Sequence, residues 1–251
     1  MNNSTLYQCL KNKIVFITGG ASGIGAAMVK AFADQQAKVA FIDIDNQAAQ
    51  KLNEQLDGKC WYRILDVTNP DELQQAITDA SLELGGLDVL VNNVANDMRH
   101  SPEDITVRDW HKCMQVNLDP AFFASQAVYN IMKQQGSGSI INFSSINAIT
   151  GPERMSGYVT AKAGLIGMTK ALAHDFGAHN IRVNAILPGW VATEKQLANW
   201  LTAEEEAKWM ESMALKKRIE PRDVANLALF LASQDSSMIS GQSIAIDGGK
   251  T

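Results

Sequence analysis

The stretch "ITGGASGIG" at residues 17–25 decides the fold. It overlaps the apolar run "KIVFIT" (13–18) and leads into a helical pattern near 23–35. Gly19, Gly23 and Gly25 therefore stand where a strand turns sharply into a helix. Glycine tolerates backbone angles that a Cβ disfavours. It also lets the main chain approach a pyrophosphate, whose charge the helix N-terminus then meets. In this strand–turn–helix setting the motif, with Ser22 inside it, reads as a dinucleotide cradle.

Six more short apolar runs follow: "KVAFID" (38–43), "CWYRIL" (60–65), "LDVLVN" (87–92), "SIINFS" (139–144), "IRVNAI" (181–186) and "SIAID" (243–247). Most are continuous rather than alternating, the pattern of strands buried on both faces of a parallel sheet. Helical patterns lie between them near 46–57, 70–84, 104–134, 157–178 and 221–233. "TNPDEL" (68–73) opens one with a capping residue followed by Pro, and "EPRDV" (220–224) opens another in the same way. The alternation predicts an α/β fold of one domain over 1–251: a doubly wound, parallel, seven-stranded sheet with helices on both faces. Residues 191–218 break the rhythm. They are amphipathic, carry Trp200 and Trp209, and read either as a helical hairpin packed on the core or as a mobile lid.

Composition excludes several classes. A net charge of −5 and a pI near 5.4 speak against nucleic acid as a partner. Cys9, Cys60 and Cys113 form neither a disulfide framework nor a zinc spacing, and the four histidines contain no HExxH. No protein-bound metal is expected, and a reduced, cytoplasmic setting is. The N-terminus lacks an apolar signal core, and no apolar run approaches the ~20 residues of a membrane span.

Asp43 ends the second strand about 20 residues beyond the cradle, where a carboxylate accepts hydrogen bonds from a ribose. It would repel a 2′-phosphate, and no Arg or Lys stands near Ser22 to receive one, so NAD is favoured over NADP. Asp66, after the third strand, reads as a contact to the adenine edge or as a turn carboxylate.

"YVTAK" (158–162) places Tyr158 and Lys162 four residues apart, on one helix face. Ser145 ends the fifth strand, on the sheet edge where ligands bind in open α/β sheets. An ammonium about 4 Å from a phenol contributes roughly 4 kcal/mol at an effective dielectric near 20. Half of that lowers a tyrosine pKa by roughly 1.5 units, toward a usable base.

The motifs "TGGASGIG" (18–25), "NNVA" (92–95), "SS" (144–145), "YVTAK" (158–162), "PGWVAT" (188–193) and "DGG" (247–249) run in order along the chain. It resembles the short-chain dehydrogenase/reductase family. The resemblance implies that Tyr158 is the acid–base residue, Lys162 its electrostatic partner and a ribose ligand, and Ser145 the donor holding the reacting oxygen. Asn117 matches a helix asparagine that positions the lysine through water, and Thr193 a residue that binds the nicotinamide carboxamide. Further cofactor contacts are implied at Ile24, Val67, Asn93, Pro188 and Val191. "NNVA" departs from the family's usual NNAG, which implies altered packing beside the ring. A homotetramer assembled through helices is also implied.

After "NNVA", the polar cluster "NDMRH" (96–100) faces the predicted crevice. Asn96, Asp97, Arg99, His100 and Asn147 suit a polyhydroxylated ligand, and Trp190 a sugar face. A solvated loop with local ion pairs is the other reading. "NDMRH", "PGWVATEKQL" and "LKKRIEP" resemble the branch that oxidises aldoses such as xylose or galactose at C1, with Met98 a departure. The expected function is thus NAD-dependent oxidation of an aldose to a lactone. The alternatives are a 3-oxoacyl carrier-protein reductase or other ketone reductase, and a nicotinamide-binding regulator without turnover.

Overall fold

The structure, a computed structural model, describes residues 5–199 and 202–251. Seven strands form one sheet: β1 (Ile14–Thr18), β2 (Lys38–Asp43), β3 (Trp61–Ile64), β4 (Val89–Asn92), β5 (Gly138–Phe143), β6 (Ile181–Pro188) and β7 (Ser243–Ile246). All pairings are parallel, in the order β3-β2-β1-β4-β5-β6-β7. The chain winds from β1 out to β3, then crosses back to lay β4 beside β1. That reversal opens a crevice at the carboxyl ends of β1 and β4.

The strand pleat sorts side chains between two layers. Val15 and Ile17 of β1 join a core with Phe32 of α1 (Gly23–Asp34) and Leu229 of α10 (Pro221–Ala232). Phe16, between them in sequence, joins the opposite core with Ile77 of α3 (Pro70–Leu84) and Val128 of α5 (Asp119–Gln135). Edge strands β3 and β7 are less buried, because each has a neighbour on one side only.

The sequence predicts one helix over 104–134, but the structure has two. α4 (Val107–Asn117) ends at Leu118, and α5 begins at Asp119 with Pro120 in its first turn. Proline lacks the N–H an uninterrupted helix would need there, yet suits a helix start. Two further helices are α2 (Asn46–Gln55), between β2 and β3, and the short α6 (Asn147–Thr150), after β5.

The long α7 (Ser156–Gly177) lies against β6 and β5. A buried polar chain fixes it. Asn92 pairs in register with Asn142 and donates to it at 2.9 Å, and Asn142 donates to Thr169 of α7 at 3.0 Å. Segment 191–218 forms α8 (Glu194–Asn199) and α9 (Ala203–Ser212). Trp209, Met210 and Met213 pack onto the core, while Gln196 and Trp209 also line the crevice. Trp200 lies outside the described residues. No helix among the described residues is long and apolar enough to cross a membrane.

Candidate active site

The crevice is a cleft of about 1000 Å³. At one end lies the glycine turn. Gly19 adopts a φ of +65°, a conformation that disfavours a side chain, and a Cβ there would lie 3.0 Å from Val94 Cγ2. A Cβ on Gly25 would lie 1.8 Å from the Gly19 carbonyl oxygen, so the turn closes only around glycine. Asn93 pins it by donating to the Thr18 and Gly19 carbonyls at 3.1 and 3.0 Å. The Thr18 hydroxyl accepts from the Asn93 and Val94 amides.

Helices α2, α3 and α4 are each capped by a side chain, Asp45, Asn69 and Thr106 respectively. Helix α1 differs: Ser22 stands at its N-cap without a side-chain cap bond, and its first turn contains no acid. Its N-terminal amides are left for an external anion. Gly19, Ser22, Gly23 and Ile24 line this end of the cleft, and Gly25 sits behind them.

Asp43 lines the cleft beside the turn, its carboxylate accepting from the Ala21 and Asp45 amides at 2.9 and 3.1 Å. Asp45 and Asp66 flank it on the cleft wall, with Val67 and Asn93 beyond. Asp66 also accepts from the Thr68 amide, so it serves its turn as well as facing the cleft. Pro188, Val191 and Thr193 line the wall beyond β6.

Ser145, Tyr158 and Lys162 meet in the same cleft. Ser145 accepts from the Asn147 amide at 3.1 Å and is hydrogen-bonded with Tyr158. Lys162 is 1% exposed and donates to the Phe143 carbonyl at 2.7 Å. Its own main-chain carbonyl accepts from Ser144 Oγ at 2.7 Å, tying α7 to the end of β5.

The electrostatics depart from the sequence expectation. Lys162 Nζ lies 5.7 Å from the Tyr158 ring centroid. Burial pushes the Tyr158 phenol up to about 12; the Ser145 hydrogen bond opposes this, while Asp97 and Cys113 reinforce it. Burial pushes the Lys162 amine down to about 7. The expected depression of the tyrosine is therefore not produced by the chain's own groups: exclusion of water is the largest influence on the phenol, and it raises it.

Other predicted residues divide. Asn96, Arg99, Asn147 and Trp190 line the cleft. His100 is absent from its wall: the ring Nε2 lies 3.0 Å from Ser156 Oγ and accepts from the Gly157 amide at 3.4 Å, capping the first turn of α7. Asn117 is also off the wall. Its side chain accepts from the Asn96 amide at 2.8 Å and donates to the Asn96 and Cys113 carbonyls at 3.0 Å, clamping the polar loop to α4. Met98 is 71% exposed. Gln196 and Trp209 line the cleft without having been predicted as site residues, since the contacts that place them are long-range. No group of three or more potential metal ligands occurs among the described residues.

Residues 19–251 match the family model described as enoyl-(acyl carrier protein) reductase. The chain is 44% identical over 250 residues to the "Probable galactose dehydrogenase GalD" of Rhizobium meliloti (strain 1021), covering 98% of each.

The chain belongs to the short-chain dehydrogenase/reductase family.

A D-xylose 1-dehydrogenase of Caulobacter vibrioides is likewise 44% identical, over 98% of this chain and 99% of its own. A 3-oxoacyl-[acyl-carrier-protein] reductase FabG of Chlamydia trachomatis is 36% identical, over 96% and 98%. Among solved structures, a short-chain type dehydrogenase/reductase from Mycobacterium marinum superposes with a TM-score of 0.89 at 32% identity, covering 96% of each chain. The protein is thus an oxidoreductase of this family, whose dehydrogenases use nicotinamide cofactors. Its open α1 amides, glycine turn and flanking carboxylates fit such a dinucleotide.

Proposed function

We propose that this short-chain dehydrogenase oxidises an aldose at C1 to the lactone, with NAD as hydride acceptor. One observation carries the reading: Ser145, Tyr158 and Lys162 share a single cleft with a wall of Asn96, Asp97, Trp190 and Gln196. Acceptors, donors and an indole suit a neutral ring bearing many hydroxyls. The named activities of the two 44%-identical relatives support the same class of substrate.

Bound along the cleft, an oxidised nicotinamide dinucleotide supplies the hydride acceptor and a positive charge. Residues Ser22 to Gly25 and the α1 amides would hold its pyrophosphate, and Asp43 its ribose. Asp43, Asp45 and Asp66 together disfavour a 2′-phosphate, which supports NAD. Ser145 orients the C1 hydroxyl and stabilises charge on its oxygen. In its ionised form, which the positive charge of a bound oxidised cofactor would favour, Tyr158 takes the hydroxyl proton as the C1 hydrogen departs as hydride. Burial lowers the Lys162 amine to about 7, which eases release of its proton. The homotetramer is a proposal of the same kind, supported by an exposed hollow among Leu118, Phe122, Gly164 and Met168 on the helical flank.

Initial rates with a panel of pentoses and hexoses, each with NAD and NADP, test the reading by following reduced nicotinamide. Turnover of D-xylose or D-galactose is expected, faster with NAD. Tyr158→Phe should lower kcat at least about 100-fold while leaving cofactor binding within about twofold, a difference small beside tenfold steps of ~1.4 kcal/mol. Silence on every aldose, alongside reduction of a 3-oxoacyl thioester, would replace this reading with the reductase.

A further inference from the structure

The segment after β6 is joined to the loop after β4 through one side chain. Trp190 Nε1 donates to Gln196 Oε1 at 2.7 Å, and Gln196 Nε2 donates to Asp97 Oδ2 at 3.2 Å. The chemistry fixes the orientation of that amide. An indole N–H only donates and a carboxylate only accepts, so the Gln196 oxygen must face Trp190 and its nitrogen Asp97. The Gln196 amide N–H also donates to Thr193 Oγ1 at 3.3 Å, which ties the relay to the first turn of α8.

Trp209 of α9 completes the wall. Its ring stands edge-on to Trp190 at 5.5 Å between centroids, with Lys250 Nζ 4.6 Å from its own centroid. Its indole Nε1 is buried and has no hydrogen-bond partner among the described residues. A buried donor without a partner is costly. Asp97, Trp190, Gln196 and Trp209 line the cleft that holds Tyr158.

We propose that Gln196 is a specificity-determining latch: its carboxamide locks Asp97 and Trp190 into one wall that reads a neutral polyhydroxylated ring. Asp97 accepts from ring hydroxyls, the indole of Trp190 covers a C–H face, and Trp209 backs Trp190 edge-on. The inference rests on the aldose reading and names the residues that would enforce it. A polar relay of this kind discriminates strongly, because a substrate without matching hydroxyls leaves its groups unpaired.

Three changes test it with D-xylose and D-galactose as probes. Gln196→Leu removes both bonds at similar bulk. Gln196→Glu keeps the acceptor for Trp190 but sets a second carboxylate against Asp97. Adding Asp97→Asn to Gln196→Glu restores the pair with reversed polarity, since the asparagine amide now donates. The expected result is a sugar KM raised about tenfold by Gln196→Leu and further by Gln196→Glu, as for loss of a charge-assisted bond. The double variant should recover most of that loss, and KM for the cofactor should stay within about twofold, well short of one such bond. A sugar KM indifferent to Gln196→Leu, or a double variant no better than Gln196→Glu alone, overturns the latch. If the wild type turns over no aldose, the functional reading falls separately. Tryptophan emission of the cofactor-free protein then decides the latch: a shift in Gln196→Leu supports it, and an unchanged spectrum overturns it.

Discussion

Lys162 is held where water is excluded, and its protonation is a cost the fold carries. The unfolded amine titrates near 10.5, the folded one near about 7. Between those values the unfolded chain binds the extra proton, so the contribution of Lys162 to stability rises with pH across that window. Tyr158 works the other way at higher pH. Its folded value of about 12 exceeds the ordinary 10.0, so stability present below pH 10.0 is lost as pH climbs toward about 12. In urea titrations of the cofactor-free protein, wild type should gain on Lys162→Met between pH 7 and 10, numbers set by the Lys162 shift. A difference that stays flat over that range would contradict the assignment. The identities of these residues were legible in the sequence from the spacing of "YVTAK". The sign of their electrostatics was not, because burial depends on what β5 and α7 pack against.

At the scale of elements, the first turn of α7 carries Tyr158 and is capped from outside. Met155 stands at its N-cap without a side-chain cap bond. His100, 57 residues upstream, supplies the missing acceptor to the Gly157 amide, and its Nε2 also lies 3.0 Å from Ser156 Oγ. A Cβ on Gly157 would meet Cys113 Sγ at 3.1 Å and His100 Cε1 at 3.2 Å, so that turn has little room to adjust. His100→Ala should destabilise the protein by about 1 kcal/mol, as loss of a cap does. It should also lower kcat several-fold through Tyr158, a rough figure for a displaced group, with sugar KM changed less than kcat. Denaturant titration and initial rates check both, and a KM effect larger than the kcat effect would return His100 to the substrate wall. The sequence reading placed His100 in the right loop but facing the ligand. A histidine in a polar run gives no sign of which neighbour its ring will meet. The break between α4 and α5 was legible in Pro120, since proline ends one helix and starts the next; the sequence reading passed over it.

At the scale of the molecule, the switch between β1 and β4 gathers residues from every part of the chain into one cleft. Its glycine-turn end is acidic, with Asp43, Asp45 and Asp66 on the wall. Replacing Asp43 with Ala should narrow the ratio of kcat/KM for NAD over NADP by about tenfold, the scale of one charge pair near a surface. Rates measured with both cofactors read it, and an unchanged ratio would assign the preference elsewhere. By itself, the sequence determined the seven parallel strands and the glycine turn, and it set Ser145, Tyr158 and Lys162 on one edge of the sheet. Strand burial and glycine turns are written in local patterns of a few residues. Only the tertiary structure decided that Gln196 reaches Asp97 across 99 positions, that Trp209 keeps a buried donor unmet, and that His100 caps a helix. Those contacts depend on how separate elements pack and exclude water, and no spacing along the chain encodes that.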